Sequence, residues 1–240
     1  RCYQAIGQEH NLFDVILPMF RSKGPENEGI FLELLEPHIL QDRLKSVKGS
    51  TMEAFVDHYS RKGWLRRVDR CILHLDAKSV EFDKMVNVCK TYHLASALAY
   101  LYTTGLGDYT TPLQYLYSSI KLSSRSFGLR LLLYISKCLQ GQIFPSGVVP
   151  ADQQDRVKHD VLTFLISDSD RLKTLILFDA REMFRCLQLA MEDRALTDMH
   201  GQMVDTLDKL MIDPKIKPFK PLKEQRSTYP FGSRHLTHLF

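Results

Sequence analysis

Four residues of this chain have the types and spacing of a metal site. Cys71, His74, Cys89 and His93 read C-x₂-H-x₁₄-C-x₃-H, a set of thiolate and imidazole donors that would suit a tetrahedral zinc ion. Helical placement argues against it. On a helix beginning at Leu65, at about 100° per residue, Leu65, Val68, Ile72 and Leu75 share one arc, with Cys71 at its edge. Arg66, Arg67, Arg70 and His74 lie opposite, where three cations disfavour a divalent metal. On the next helix Cys89 and His93 share the buried arc with Phe82, Met85 and Val86. The two pairs therefore face different surroundings, and the thiols read as small hydrophobes. No metal and no cofactor are expected.

The second constellation is the arginine face itself. Three arginines beside Trp64, the only tryptophan, could bind phosphates and stack a base. Asp69 and Asp76 interrupt that positive field, however, and nucleic-acid binders cluster more charge. Arginine is also favoured at protein interfaces. Arg66, Arg67 and Arg70 are therefore the candidate protein-interaction residues, with nucleic-acid binding by the same face as the lesser alternative. Trp64, just after Gly63, is expected to pack between this helix and its predecessor.

Catalytic signatures are missing. The sequence has no GxSxG, Walker loop, GxGxxG or HExxH. His235 and His238 of HLTH have no accompanying carboxylate, and Glu192 and Asp193 read as helix-end charges. Catalysis needs a base, a nucleophile and an orienting group together, so the chain is expected not to be an enzyme.

The elements that must position these residues are helices. Ser50 with Glu53 reads as a capping box, followed by an apolar stripe of Phe55, Val56 and Tyr59 and a stop at Gly63. Thr111, Pro112 and Gln114 repeat the logic ahead of Leu113, Leu116, Tyr117 and Ile120. A further helix ends at Gly141, and another spans about Val157 to Ile166. Pro37 should kink its helix or split it. Ala95, Ser96, Ala97 and Ala99 are small enough for a neighbouring helix to approach closely. Short connections make successive helices antiparallel. The predicted fold is all-α, an α-solenoid of stacked antiparallel hairpins, with a compact bundle as the alternative. No strict repeat is visible. The solenoid segment covers residues 1–212, with a sub-boundary offered by the Gly- and Pro-rich loop 141–155. Residues 213–240, with prolines at 214, 218, 221 and 230, read as an extended tail.

Composition agrees with a folded protein: 44% hydrophobic and 25% charged over 240 residues. No apolar run is long enough to span a bilayer. The opening residues show no signal peptide, and without an initiator methionine the chain reads as a fragment. The five cysteines are scattered and include no CxxC pair, which fits free thiols in a reducing compartment. Net charge is +4, and the segment 214–226 alone holds five cations against one carboxylate. The rest is near neutral, so the body is not expected to bind polyanions in general.

The stretches FVDHYSRKGWLRRVDRCILHLDAKSVEFDKMVNVCKTYHLASALAYLYTTGLGDYTTPL, LLLYISKCLQGQIFPSGVVP and LILFDAREMFRCLQLAMED resemble, in this order, the helical core of the vacuolar protein sorting-associated protein eight family. The resemblance runs from about Glu26 to Ile212. It implies a solenoid of the clathrin-heavy-chain-repeat kind within a subunit of the CORVET endosomal tethering complex. The implied role is non-enzymatic, that of holding membranes together before SNARE-mediated fusion, in endosome-to-vacuole or lysosome transport. The implied partners are class C tethering core subunits and an endosomal Rab GTPase, and the implied place is the cytosolic face of early endosomes, with membrane contact only indirect. Family members also carry an amino-terminal β-propeller and usually a carboxy-terminal RING-like domain, neither of which is found in these residues. A helical-repeat adaptor in another pathway, such as a vesicle coat, would obey the same physics and is the alternative.

Overall fold

The computed structural model describes residues 11–120 and 125–212. The tail beyond 212, with its lysines and the HLTH histidines, lies outside the described residues. These divide into two units, the first ending at Asp108 and the second beginning at Tyr109. The loop 141–155 lies inside the second unit. No described helix is long and apolar enough to cross a membrane.

In the first unit a π-helical turn, Leu12–Ile16, leads into α1 (Leu17–Ser22). There follow α2 (Pro25–Leu40), α3 (Gly49–Arg61), α4 (Leu65–Ile72), α5 (Phe82–Thr91) and α6 (Ala95–Tyr100), the last continuing as a π-helix, Leu101–Leu106. Each buries residues three and four apart: Phe31, Leu32, Leu35 and Ile39 on α2; Met52, Phe55, Val56 and Tyr59 on α3; Val68, Cys71 and Ile72 on α4. That stripe drives each helix onto its neighbours. Within this unit α3 packs on α4 and α5 on α6, and across the pairs α3 meets α5 and α4 meets α6. Hairpins stacked first helix to first and second to second are the arrangement of an α-solenoid.

The second unit contains α7 (Thr110–Ile120), α8 (Arg125–Leu139), α9 (Gln154–Ile166), α10 (Ser169–Phe178), α11 (Ala180–Glu192), a 3₁₀ turn (Arg194–Met199) and α12 (His200–Met211). Helix α8 packs on α7, α9 and α11, and α9 on α7, α10 and α12. The loop before α9 folds back on itself through an antiparallel bridge between Gln142 and Val148, and Gln154 amide nitrogen donates to the Val149 carbonyl at 3.0 Å. Gly128 of α8 lies against the Phe178 ring so closely that a Cβ there would overlap it.

Several local expectations change. Ser50 does not cap α3. The helix starts at Gly49, and its first free N–H is taken from outside by Glu81, whose Oε1 accepts from Gly49 N at 3.0 Å. A distant carboxylate does what a local hydroxyl was expected to do, because helix N-termini favour anions whatever their origin. Gly63 does end the hairpin's first helix, with φ +72°. Pro37 neither splits nor ends α2. It sits in the last turn of a continuous helix, where little helix remains to be disrupted. Helix α7 begins at Thr110, one residue before the hydroxyl expected to cap it, and α9 begins at Gln154, three residues before Val157.

Candidate protein-interaction surface

The arginine face is built on the α3–α4 hairpin. Helix α4 turns Val68, Cys71 and Ile72 inward, all fully buried, and leaves Arg66, Arg67 and Arg70 outward. The three arginines are not equivalent. Arg67 reaches back to Glu36 on α2, with Nε 2.8 Å from Oε1 and Nη2 2.5 Å from Oε2. Tyr59 donates its hydroxyl to the same Oε2 at 2.7 Å. Glu36 is buried, so its charge is satisfied by a bidentate guanidinium and a phenol. Burial and the adjacent carboxylate push Tyr59 far above the usual tyrosine range, and the hydrogen bond to Glu36 raises the Arg67 guanidinium. Arg66 and Arg70 are exposed and form no ion pair among the described residues.

Trp64 touches both helices, Tyr59 of α3 and Arg67 of α4, but is not enclosed between them. It is 41% exposed. Its ring meets the edge of Tyr59 at 6.2 Å between centroids and carries two cations, Lys62 at 4.8 Å and Arg67 at 5.1 Å from the ring centre. Lys62 in turn pairs with Glu33, which also accepts from His58 Nε2 at 2.8 Å. Hydrogen bonds from Lys62 and then His58 hold the Glu33 carboxyl below its usual range. The indole stays at the surface because cation–π contacts satisfy its faces there.

Asp69, expected to interrupt the positive field, is only 7% exposed. It points inward, and its Oδ1 accepts the Ala97 N–H at 2.8 Å. Asp76 does stay outside, at the turn after α4, where its carboxylate accepts from Lys78 N at 3.0 Å. The small residues Ala95, Ala97 and Ala99 are buried, as close helix approach requires. Tyr100 donates to the Leu75 carbonyl at 2.6 Å, while Tyr102 meets Phe82 edge-on.

The four residues with metal-site spacing are dispersed. Cys71 and Cys89 are buried. Burial pushes the Cys71 thiol up to about 12 and that of Cys89 higher still. His74 pairs with Asp42 at 3.3 Å. His93, expected on the buried arc, lies in the left-handed region at φ +55°, beyond the end of α5, and is exposed. The helix stops at Thr91, which removes the register that aligned His93 with Cys89. Among the described residues no group of three or more His, Cys, Asp or Glu could hold a metal. Asp193 serves the fold instead. It accepts from Ala195 N at 2.9 Å to start the 3₁₀ turn and pairs with Lys158 at 2.6 Å.

Sequence reasoning missed one surface. Leu129 and Leu133 of α8 are 44% and 50% exposed, and with Leu132, Cys186 and Leu189 they floor an open groove of about 530 Å³ between α8 and α11. The signal was present in LRLLLY, which carries more leucines than one buried stripe can use.

Comparison with known proteins follows the same residues. The family model described as Vps8 central TPR matches residues 30–191. The Vacuolar protein sorting-associated protein 8 homolog of Mus musculus is 30% identical over 228 residues, covering 83% of this chain and 16% of the relative. The homolog of Drosophila melanogaster is 30% identical over 187 residues, covering 72% and 15%. Vacuolar protein sorting-associated protein 8 of Saccharomyces cerevisiae is 20% identical over 168 residues, covering 63% and 13%. The chain thus spans less than a fifth of the length of these relatives. No solved structure gives a significant match.

Proposed function

This chain belongs to the Vps8 family, and from that membership we propose that it is a non-enzymatic scaffold, the solenoid part of an endosomal membrane-tethering subunit. Its relatives are named for vacuolar protein sorting. In this reading it acts in vesicle docking ahead of fusion, on the cytosolic face of early endosomes, with class C tethering core subunits and an endosomal Rab GTPase as partners. Membrane contact is indirect.

The observation that carries the reading is the stacking of hairpins, α3 on α5 and α4 on α6, over a sequence that matches the Vps8 central region. Stacked hairpins present a long surface to several partners at once, which a tether needs more than a reactive cleft. Several ionisable groups of the hairpin are spent on tying it to α2: Arg67 and Tyr59 on Glu36, Lys62 and His58 on Glu33. Arg66 and Arg70 remain for partners.

Affinity capture from cell lysate with the 240-residue chain tests the proposal. Recovery of class C subunits or an endosomal Rab is expected. Recovery of coat proteins alone would overturn it in favour of an adaptor in a vesicle coat.

A further inference from the structure

The charge on the outer face of α4 is more one-sided than its sequence. Asp69 is turned inward onto Ala97, and Glu36 is covered by Arg67 and Tyr59. Arg66 and Arg70 remain, one helical turn apart, exposed and without an ion pair among the described residues. At the carboxy end of the helix the signs alternate. Asp42 faces His74 at 3.3 Å, Asp76 is engaged by Lys78 N, and Arg43 and Lys45 are exposed on the loop that accepts the Asp76 N–H. On α4 itself the cations without an ion pair among the described residues are therefore Arg66 and Arg70, with Arg43 and Lys45 exposed on the neighbouring loop.

Beside them lies the exposed part of Trp64, held by Tyr59, Lys62 and Arg67, with Arg67 itself held by two contacts to buried Glu36. A ring fixed before binding costs little side-chain entropy when a partner covers it, and tryptophan and arginine are the residue types that dominate interface energetics.

We propose that Arg66, Arg70 and the exposed part of Trp64 form a docking face for an acidic segment of a partner protein. The proposal rests on the scaffold reading and deepens it by giving the partner's chemistry. Acidic residues one helical turn apart on a partner helix have Cβ atoms about 5–6 Å from each other, the same helical spacing as Arg66 and Arg70 on α4, and each guanidinium can take a carboxylate with two hydrogen bonds. A nucleic acid fits less well. Its affinity comes from neutralising many phosphates, and this face offers two uncompensated cations. The π face that a base would stack on is engaged by Lys62 and Arg67.

The test uses the 240-residue chain and a fluorescein-labelled peptide of four Glu-Leu-Ala-Glu repeats, read by anisotropy at low salt. Saturable binding is expected, weakened about tenfold or more by R66E/R70E, since each charge-assisted bond lost is worth about a factor of ten. Trp64→Ala should weaken it too, and the same peptide with lysine for glutamate should not bind. Melting curves check the fold, and R66Q/R70Q serves if the reversal disturbs it. Unchanged peptide binding in both double variants would overturn the proposal, as would tighter binding of oligothymidylate through the same arginines. Failure of the peptide removes only this face, whereas failure of the cellular capture removes the tether reading and leaves a peptide result standing.

Discussion

The Asp69 carboxylate accepts the backbone N–H of Ala97 at 2.8 Å, so an acid from α4 caps the third residue of α6. Helix α6 has Leu94 at its N-cap position, with no side-chain bond of its own, and the cap is supplied from the neighbouring hairpin instead. One bond thereby joins two stacked hairpins and clears an acid from the arginine face.

Removing that cap should be costly. Asp69→Ala is expected to destabilise the chain by about 1–2 kcal/mol, the usual range for a lost N-cap, seen as a lower urea midpoint. Asp69→Asn keeps an acceptor and should lose less. Equal losses in the two variants would mean that the bond to Ala97 carries no stability.

Arg67 and Arg66 should separate cleanly. Arg67→Ala strips buried Glu36 of its bidentate partner and should cost about 1.5–3 kcal/mol, as for hydrogen bonds to charged groups. Arg66→Ala removes an exposed side chain and should stay within about 0.5 kcal/mol. In a double-mutant cycle, Glu36→Gln should absorb much of the Arg67→Ala loss. Additive losses in urea titrations would show that the pair is not coupled.

Close approach at Gly128 makes a packing prediction. A Cβ there meets the Phe178 ring, so Gly128→Ala should cost about 1–3 kcal/mol through overpacking. The cost should shrink when Phe178→Ala is already present. Thermal melts of the four proteins in this cycle decide it.

Most of the helices are legible in the sequence because burial repeats every three or four residues. Phe55, Val56 and Tyr59 lie where that period puts them, and Gly63 ends its helix with the backbone conformation only glycine adopts freely. Contacts between distant positions are not legible. Glu81 replaces Ser50 at the start of α3, and Asp69 caps α6. Glu36, thirty-one residues before Arg67, turns one arginine of three into a structural strut. Periodicity shows which face a residue occupies but not which partner crosses from another helix. Trp64 departs from expectation for the same reason: its size argues for burial, while the cations that hold its ring outside come from Lys62 and Arg67. His93 departs because helical register does not extend beyond Thr91.

Acid should release the strut at Asp193. Its carboxyl is held below the usual aspartate range chiefly by the Lys158 hydrogen bond. A group whose folded pKa is lowered contributes stability that is full above the unfolded value and lost as pH falls through the folded one. Asp193→Asn should therefore be less stable than the parent at neutral pH, and the gap should close below about pH 4, where an ordinary aspartate protonates. A gap in urea midpoint that persists unchanged to pH 2 would exclude ionisation as its source.

The thiols give the sharpest contrast between the two readings of the Cys–His spacing. A zinc ligand must be a thiolate, with its pKa lowered by the metal. Here burial pushes Cys71, Cys138 and Cys186 up to about 12, and Cys89 is buried with them. Thiols so placed are neutral at pH 8 and closed to reagents. Iodoacetamide added to the native chain at pH 8 should leave these four unmodified, and addition after denaturation in guanidinium should alkylate all four, as read site by site from the peptides by mass spectrometry, with Cys2, outside the described residues, left out of the count. Prior treatment with a chelator should change neither count, because no metal shields the sulfurs. Rapid native labelling of Cys71 and Cys89 only after chelation would instead mean that a metal had been holding them.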